Sequence, residues 1–133
     1  MVNGRNKGAA FEREIANMLH LELGVKFKRD IEQYRAADHG DIICEDDSFP
    51  FTLELKRYAS GHTYQQQWWK QVLKAAEAVG KEPVLIYKFD RQPIVAVMRL
   101  AYITQDESYE PYTVKLDWDG FIQITRESWD DCA

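Results

Sequence analysis

The sequence predicts an α/β fold, a mixed β-sheet flanked by helices in the order α-β-β-β-α-β plus C-terminal strands. Apolar residues recur at helical spacing over residues 7–23 and again after Thr63. Between and after these helices lie short runs that alternate or are continuously apolar, as strands do. A chain of 133 residues, 45% of them apolar and 29% charged, can bury its own core, so we expect one domain over 1–133.

The first half of the chain predicts one helix and three strands. The helix carries Phe11, Ile15 and Leu19 on one face, and Gly24 is its predicted C-terminal stop. Asn6 is its predicted N-cap. The strands are predicted at Val25–Arg29, Asp41–Glu45 and Phe51–Arg57, with a polar loop over 30–40 and a turn at Asp46–Ser48.

The second half opens with a second helix. Thr63 and Gln66 form a capping-box pattern with Thr63 as N-cap, and Gly80 ends the apolar stripe. We expect Trp68 in the core. Further strands are predicted at Val84–Tyr87, Ile94–Met98, Thr113–Leu116 and Phe121–Ile124.

Composition and charge bound the possible functions. No apolar run approaches the roughly 20 residues that a membrane span needs, and polar Met1–Lys7 lacks a signal-peptide core, so we expect no membrane partner. Cys44 and Cys132 fit no zinc spacing, which suits reduced thiols in a cytoplasmic protein. The net charge of −5 argues against nucleic acid, but residues 1–30 carry six Lys/Arg against four Asp/Glu, and residues 101–133 carry two against eight.

Glu54 and Lys56 lie two residues apart on a predicted strand, so both side chains point to one face and Leu55 points to the other. Asp41 begins the neighbouring strand, and the hairpin brings it towards Glu54. Two carboxylates a few ångströms apart repel unless a cation lies between them, and oxygen ligands favour Mg²⁺ or Mn²⁺. Such an ion activates water and stabilises charge on a phosphodiester, and a lysine suits the phosphate.

These residues resemble the core motif of the PD-(D/E)xK nucleases. Gly40-Asp41 is followed thirteen residues later by Glu54-Leu55-Lys56, with Gly40 where the superfamily usually has Pro. Over residues 3–90 the pattern is similar to archaeal-type and phage-type Holliday junction resolvases. The similarity includes residues of the first helix, namely Arg5, Lys7-Gly8 and Glu12.

The resemblance implies a restriction-endonuclease-like core and a metal-dependent endonuclease that cuts branched DNA. It implies that Asp41, Glu54 and the backbone carbonyl of Leu55 bind the metal, and that Lys56 is the catalytic lysine. Glu12 would complete the catalytic set by holding metal-bound water or a second ion. The family also implies a homodimer with one site for each of two opposed strands of a four-way junction, in the host cytoplasm if a phage encodes it.

Basic residues are candidates for DNA contact. By the resemblance, Arg5 and Lys7 would contact phosphates near the entrance to the site. Lys26, Lys28 and Arg29 form a basic strand edge, which suits either a phosphate track or protection against strand pairing.

Three polar residues are further candidates for the site. Gln71 flanks the apolar stripe of the second helix, which in this superfamily often lends a polar side chain, and the alternative is a solvated glutamine. Asp38 and His39 directly precede the motif, although Asp38-His39-Gly40 also suits a plain turn. Trp69 fits the core, stacking on a base or a dimer interface.

Two other functions stay open at this point. One is a different PD-(D/E)xK nuclease that acts on ends, nicks or a specific site. The other is a non-catalytic DNA-binding module on the same fold. The intact acids argue against a module, because a binder gains nothing from buried like charges.

Overall fold

The computed structural model describes residues 4–30 and 41–129, with side chains from Lys7 onward. The elements from the first helix to the fifth strand follow the predicted order, with boundaries within three residues of the expected ones, whereas the third helix was not predicted. A short 3₁₀ helix follows the third helix. In chain order the elements are α1 (Gly4–Leu23), β1 (Phe27–Arg29), β2 (Ile42–Cys44), β3 (Phe51–Tyr58), α2 (Gln66–Val79), β4 (Glu82–Phe89), β5 (Val95–Arg99), α3 (Leu100–Thr104), the 3₁₀ helix (Glu107–Tyr109), β6 (Thr113–Asp117) and α4 (Trp118–Ser128).

The strands form one sheet in which each pairs with the next along the chain. All neighbouring pairs are antiparallel except β3 and β4, which run parallel because α2 crosses over between them. The predicted α/β architecture with a mixed sheet is therefore confirmed. None of the helices within the described ranges is long and apolar enough to cross a membrane.

Different helices cover the two faces of the sheet. Leu53 and Leu55 of β3 pack on one face with residues of α1 and α4, among them Phe11 and Phe121. The other face packs against α2, where Trp68, Trp69 and Val72 contact Leu85, Tyr87 and Phe89. Because side chains alternate along β3, Glu54 and Lys56 lie on the α2 face. Trp68 belongs to the core as predicted, and Trp69, 7% exposed, joins it.

The prediction of a strand at Phe121–Ile124 is wrong, because these residues lie inside α4. Asp117 caps this helix by accepting a hydrogen bond from the N–H of Gly120 at 2.8 Å. Phe121, Ile122 and Thr125 are buried at helical spacing. A short run with two adjacent apolar residues fits a buried strand as well as one helix face, and the cap decides between them.

Both predicted N-caps are also wrong, whereas both helix stops are confirmed. Helix α1 begins at Gly4, so Asn6 lies within it. Gln65 is the N-cap of α2 and makes no side-chain cap bond. The Thr63 hydroxyl instead accepts a hydrogen bond from Lys115 Nζ at 2.7 Å. The helix stops Gly24 and Gly80 both adopt the left-handed backbone, with φ of +79° and +70°.

Candidate active site

The start of β2 places Asp41 beside β3. Ile42 pairs with Leu53, and the N–H of Asp41 donates to the Leu53 carbonyl at 2.9 Å. The Oδ2 atom of Asp41 accepts a hydrogen bond from the N–H of Leu55 at 2.8 Å. These bonds hold the Asp41 carboxyl against that of Glu54, and the two acids are in hydrogen-bond contact.

In the acid pair, Asp41 and Glu54, the first is half-buried and Glu54 is buried, only 4% exposed. Burial, followed by repulsion from Asp41, raises the pKa of Glu54 to about 9. Burial also raises the pKa of Asp41, although the bond from the Leu55 N–H opposes this shift. Without a metal, Glu54 therefore holds a proton at neutral pH, in the place where a cation would otherwise offset the repulsion.

Lys56 follows on the same face of β3 and is half-buried. Its positive charge lowers the pKa of Asp41 and of Glu54, against the larger effect of burial. The ammonium group is therefore within electrostatic reach of both acids. This is the arrangement predicted for a strand that carries an acid and a lysine two residues apart.

Helix α2 contributes Gln71 to the same place. Its Nε2 atom donates a hydrogen bond to Oε2 of Glu54 at 3.2 Å. The crossover between β3 and β4 packs α2 over the face that carries Glu54, which brings this residue within reach. Gln71 is exposed, and its amide thus contacts Glu54 from the solvent side of α2.

Glu12 lies near the acid pair but is bound elsewhere. Its Oε1 accepts a hydrogen bond from Arg29 Nε at 2.8 Å. Burial raises the pKa of Glu12, the bond to Arg29 lowers it, and the charge of Asp41 raises it further. Across residues 7–30 and 41–129, no three or more His, Cys, Asp or Glu side chains are grouped to hold a metal. In this arrangement Glu12 is a neighbour of the acid pair, and its direct partner is Arg29.

Two charged residues near the site were missed in the sequence. The negative charge of Asp30 raises the pKa of Asp41, after burial, and its N–H donates to the Asp41 carbonyl at 3.0 Å. The positive charge of Arg13 lowers the pKa of Glu12, whose predominant shift from burial is upward. Asp30 directly follows a predicted strand, so antiparallel pairing with the next strand was the signal that could have located it.

The donor set fits a hard divalent cation. Asp41 and Glu54 offer carboxylate oxygens, which Mg²⁺ and Mn²⁺ prefer. The carbonyl of Leu55 points to the same side of β3 as its N–H, because both groups of a strand residue face one neighbour. That N–H binds Asp41, so the carbonyl is directed to the side where Asp41 lies.

The predicted DNA-binding residues differ in their surroundings. Lys7 pairs with Asp90 at 3.1 Å and Arg29 pairs with Glu12, whereas Lys26 and Lys28 are exposed beside β1. The described residues and side chains do not include Asp38, His39 or the side chain of Arg5.

Comparison with known proteins agrees with this geometry. Residues 3–127 match the model of a family described as phage putative PDDEXK endonuclease. Among solved structures, Hjc of Archaeoglobus fulgidus, a Holliday junction resolvase from an archaeal hyperthermophile, superposes with a TM-score of 0.54 and 14% identity. The match covers 90% of this chain and 98% of Hjc. A search of curated proteins finds no significant match. At this identity the likeness to Hjc shows a shared fold, a mixed sheet flanked by helices.

Neutralising one member of the acid pair should stabilise the metal-free protein. We expect Glu54→Gln in EDTA at about pH 8 to raise the free energy of unfolding by roughly 1–4 kcal/mol, because the parent must take up a proton on Glu54 when it folds and glutamine need not. The pKa of Glu54 rises from 4.5 to about 9 in the fold. The proton on Glu54 therefore contributes its full stabilisation of the folded state below pH 4.5, and this contribution is lost as the pH rises towards 9. The advantage of the variant should therefore shrink towards pH 4.5, as followed by urea unfolding.

Glu77→Gln is the matched control for that measurement. Glu77 is an exposed carboxylate on α2, so its replacement should leave stability within about 0.5 kcal/mol of the parent at every pH. A Glu54→Gln protein that is less stable than the parent at pH 8, or whose advantage does not depend on pH, would contradict the assignment of a proton to Glu54.

Proposed function

Since the chain belongs to the family of phage putative PDDEXK endonucleases, we propose that it hydrolyses phosphodiester bonds of DNA with a divalent metal ion. The observation that carries this proposal is the buried acid pair with the charge of Lys56 beside it on one strand face. A non-catalytic DNA-binding module would have no use for two acids pressed together in its interior, since buried charge is unfavourable unless it is paired.

Asp41, Glu54 and the Leu55 carbonyl would hold Mg²⁺ or Mn²⁺. When bound there, such an ion supplies an activated water and offsets negative charge on the phosphate in the transition state. Lys56 binds a phosphate oxygen or orients the attacking water, for which a lysine charge is suited. Glu12 would hold metal-bound water or a second ion at the edge of the site.

Supporting contacts keep the acids in place for this reaction. The N–H of Leu55 fixes the orientation of the Asp41 carboxylate, and Gln71 does the same for Glu54. Arg29 restrains Glu12. Groups that are held rigidly before the substrate arrives need no reorganisation during the reaction, which is the main advantage of a protein site over water.

The finer proposal is a resolvase selective for four-way DNA junctions. It is supported by the fold shared with Hjc, which is a Holliday junction resolvase. One chain carries one acid pair, enough for one phosphodiester, whereas resolution needs two symmetric cuts. A two-fold homodimer supplies two related sites. We place its action in the cytoplasm, that of the host if a phage encodes it. A nuclease for ends, nicks or one specific site is the alternative.

Cleavage should depend on the metal and on the three central side chains. We expect Mg²⁺ or Mn²⁺ to support cutting of a labelled four-way junction, and EDTA to abolish it. Asp41→Asn, Glu54→Gln and Lys56→Ala should each lower the single-turnover rate by about 10²–10⁴-fold. Junction binding, measured in Ca²⁺, should persist because basic residues provide most of it. Glu77→Gln serves as a control that keeps full activity.

Robust cutting in EDTA, or near-normal turnover by Glu54→Gln, would refute this site. Linear, nicked and single-stranded DNA should be assayed beside the junction, because a preference for one of them would favour the alternative nuclease.

Paired cutting is the specific expectation of the resolvase proposal. A cruciform plasmid should be linearised by two symmetric nicks across the junction, and sedimentation at micromolar protein should give the mass of a dimer. A monomer that nicks only linear duplex would refute the resolvase assignment and leave the metal chemistry standing.

A further inference from the structure

Positive charge gathers at one end of β3 and β4, outside the acid pair. Lys7 and Arg57 contact Asp90, Lys88 lies opposite Arg57 on β4, and we call these three cations the basic patch. Arg91, next in the chain to Asp90, is exposed beside it. Of these residues only Lys7 was a candidate in the sequence.

Asp90 is the anion at the centre of the basic patch. Its Oδ1 lies 2.7 Å from Arg57 Nη1 and 3.1 Å from Lys7 Nζ. The two cations come from β3 and α1, and the carboxylate follows directly after β4. One carboxylate thus holds two positive side chains in a common position.

Lys88 adds a charge that this carboxylate does not balance. It lies directly opposite Arg57 in the parallel pairing of β3 and β4. Side chains opposite each other on neighbouring strands share a face, where like charges destabilise the sheet. No ion pair engages Lys88 within residues 7–30 and 41–129. The basic patch therefore has three positive charges against one carboxylate, although the chain as a whole has a net charge of −5. This local excess of positive charge suits the binding of an external anion.

The basic patch borders the site. Arg57 directly follows Lys56 on β3, although the two side chains point to opposite faces. Lys7 lies five residues before Glu12 on α1, a rise of about 7.5 Å along the helix axis. A DNA strand whose phosphate is cut at the acid pair would need to extend only along this end of β3 to reach these cations.

We propose that the basic patch binds backbone phosphates of DNA next to the one that is cut, and that Asp90 is a positioning residue. The proposal rests on the nuclease function proposed above. Asp90 keeps Lys7 and Arg57 together before DNA arrives, so the patch is organised in advance. Lys88, which has no ion-pair partner in the described structure, gives the patch its surplus of positive charge.

The salt dependence of binding tests this directly. Affinity for a fluorescein-labelled four-way junction is measured in Ca²⁺ over a series of KCl concentrations, with folding checked by thermal melting. The logarithm of the association constant falls linearly with the logarithm of the salt concentration, and each lost phosphate contact should make this line shallower by about 0.9. Lys88→Gln should make the line shallower by one such amount. The double variant, which combines Arg57→Gln with Lys88→Gln, should make it shallower by about two.

Two further variants separate binding from a structural role. Asp90→Asn should weaken junction binding, because Lys7 and Arg57 lose the charge that holds them together, whereas a purely structural ion pair predicts lower stability with unchanged affinity. Arg126→Gln is the control: Arg126 is also paired, to Glu22 at the far end of α1, and its slope should not change.

The outcomes distinguish this proposal from the one on which it rests. If the salt slope is unchanged in Lys88→Gln and in the double variant, phosphate binding by the basic patch is overturned. Cleavage by the parent protein would in that case still support the nuclease function. Lys88→Gln breaks no ion pair, so the test holds even if Arg57→Gln fails to fold. A parent protein that neither binds nor cuts DNA would overturn both.

Discussion

The contact between the carboxyl groups of Asp41 and Glu54 is the constraint on which the rest of the structure depends. Two acids in a buried position repel once both are ionised, so the pair needs a proton or a cation. The fold provides a hydrogen bond to each acid, from the Leu55 N–H and from Gln71. The fold therefore keeps an arrangement of acids that is destabilising without a cation, and such arrangements are common at functional sites.

The two-sided core explains how that arrangement is maintained. Leu53 and Leu55 anchor β3 on the α1 face, while α2 packs over the opposite face and brings Gln71 to Glu54. The parallel pairing of β3 with β4 also places Arg57 opposite Lys88 at the end of the same strands. Strand β3 thus contributes to both the acid pair and the basic patch, with Lys56, the proposed catalytic lysine, and Arg57, the proposed phosphate-binding arginine, as consecutive residues on its two faces.

Local patterns predicted the parts of the site that lie close in the chain. Asp41, Glu54 and Lys56 belong to one hairpin, so spacing and strand alternation were enough. Gln71 was found at the flank of a helix stripe. The hydrogen bond from Arg29 to Glu12 joins residues 17 positions apart, and the ion pair of Arg57 with Asp90 joins residues 33 positions apart. Only the tertiary structure shows these two contacts. Phe121–Ile124 was misassigned because four residues cannot separate a period of 2 from one of 3.6.

Metal binding by the acid pair is tested most directly by titration calorimetry of Mn²⁺ in buffers of different ionisation enthalpy. A cation that replaces the proton on Glu54 must release it, so we expect about one proton per bound ion at pH 7. Glu54→Gln should abolish both the binding and the proton release. Binding of Mn²⁺ without proton release, or binding that survives in Glu54→Gln, would contradict the account of a buried acid pair that holds the metal.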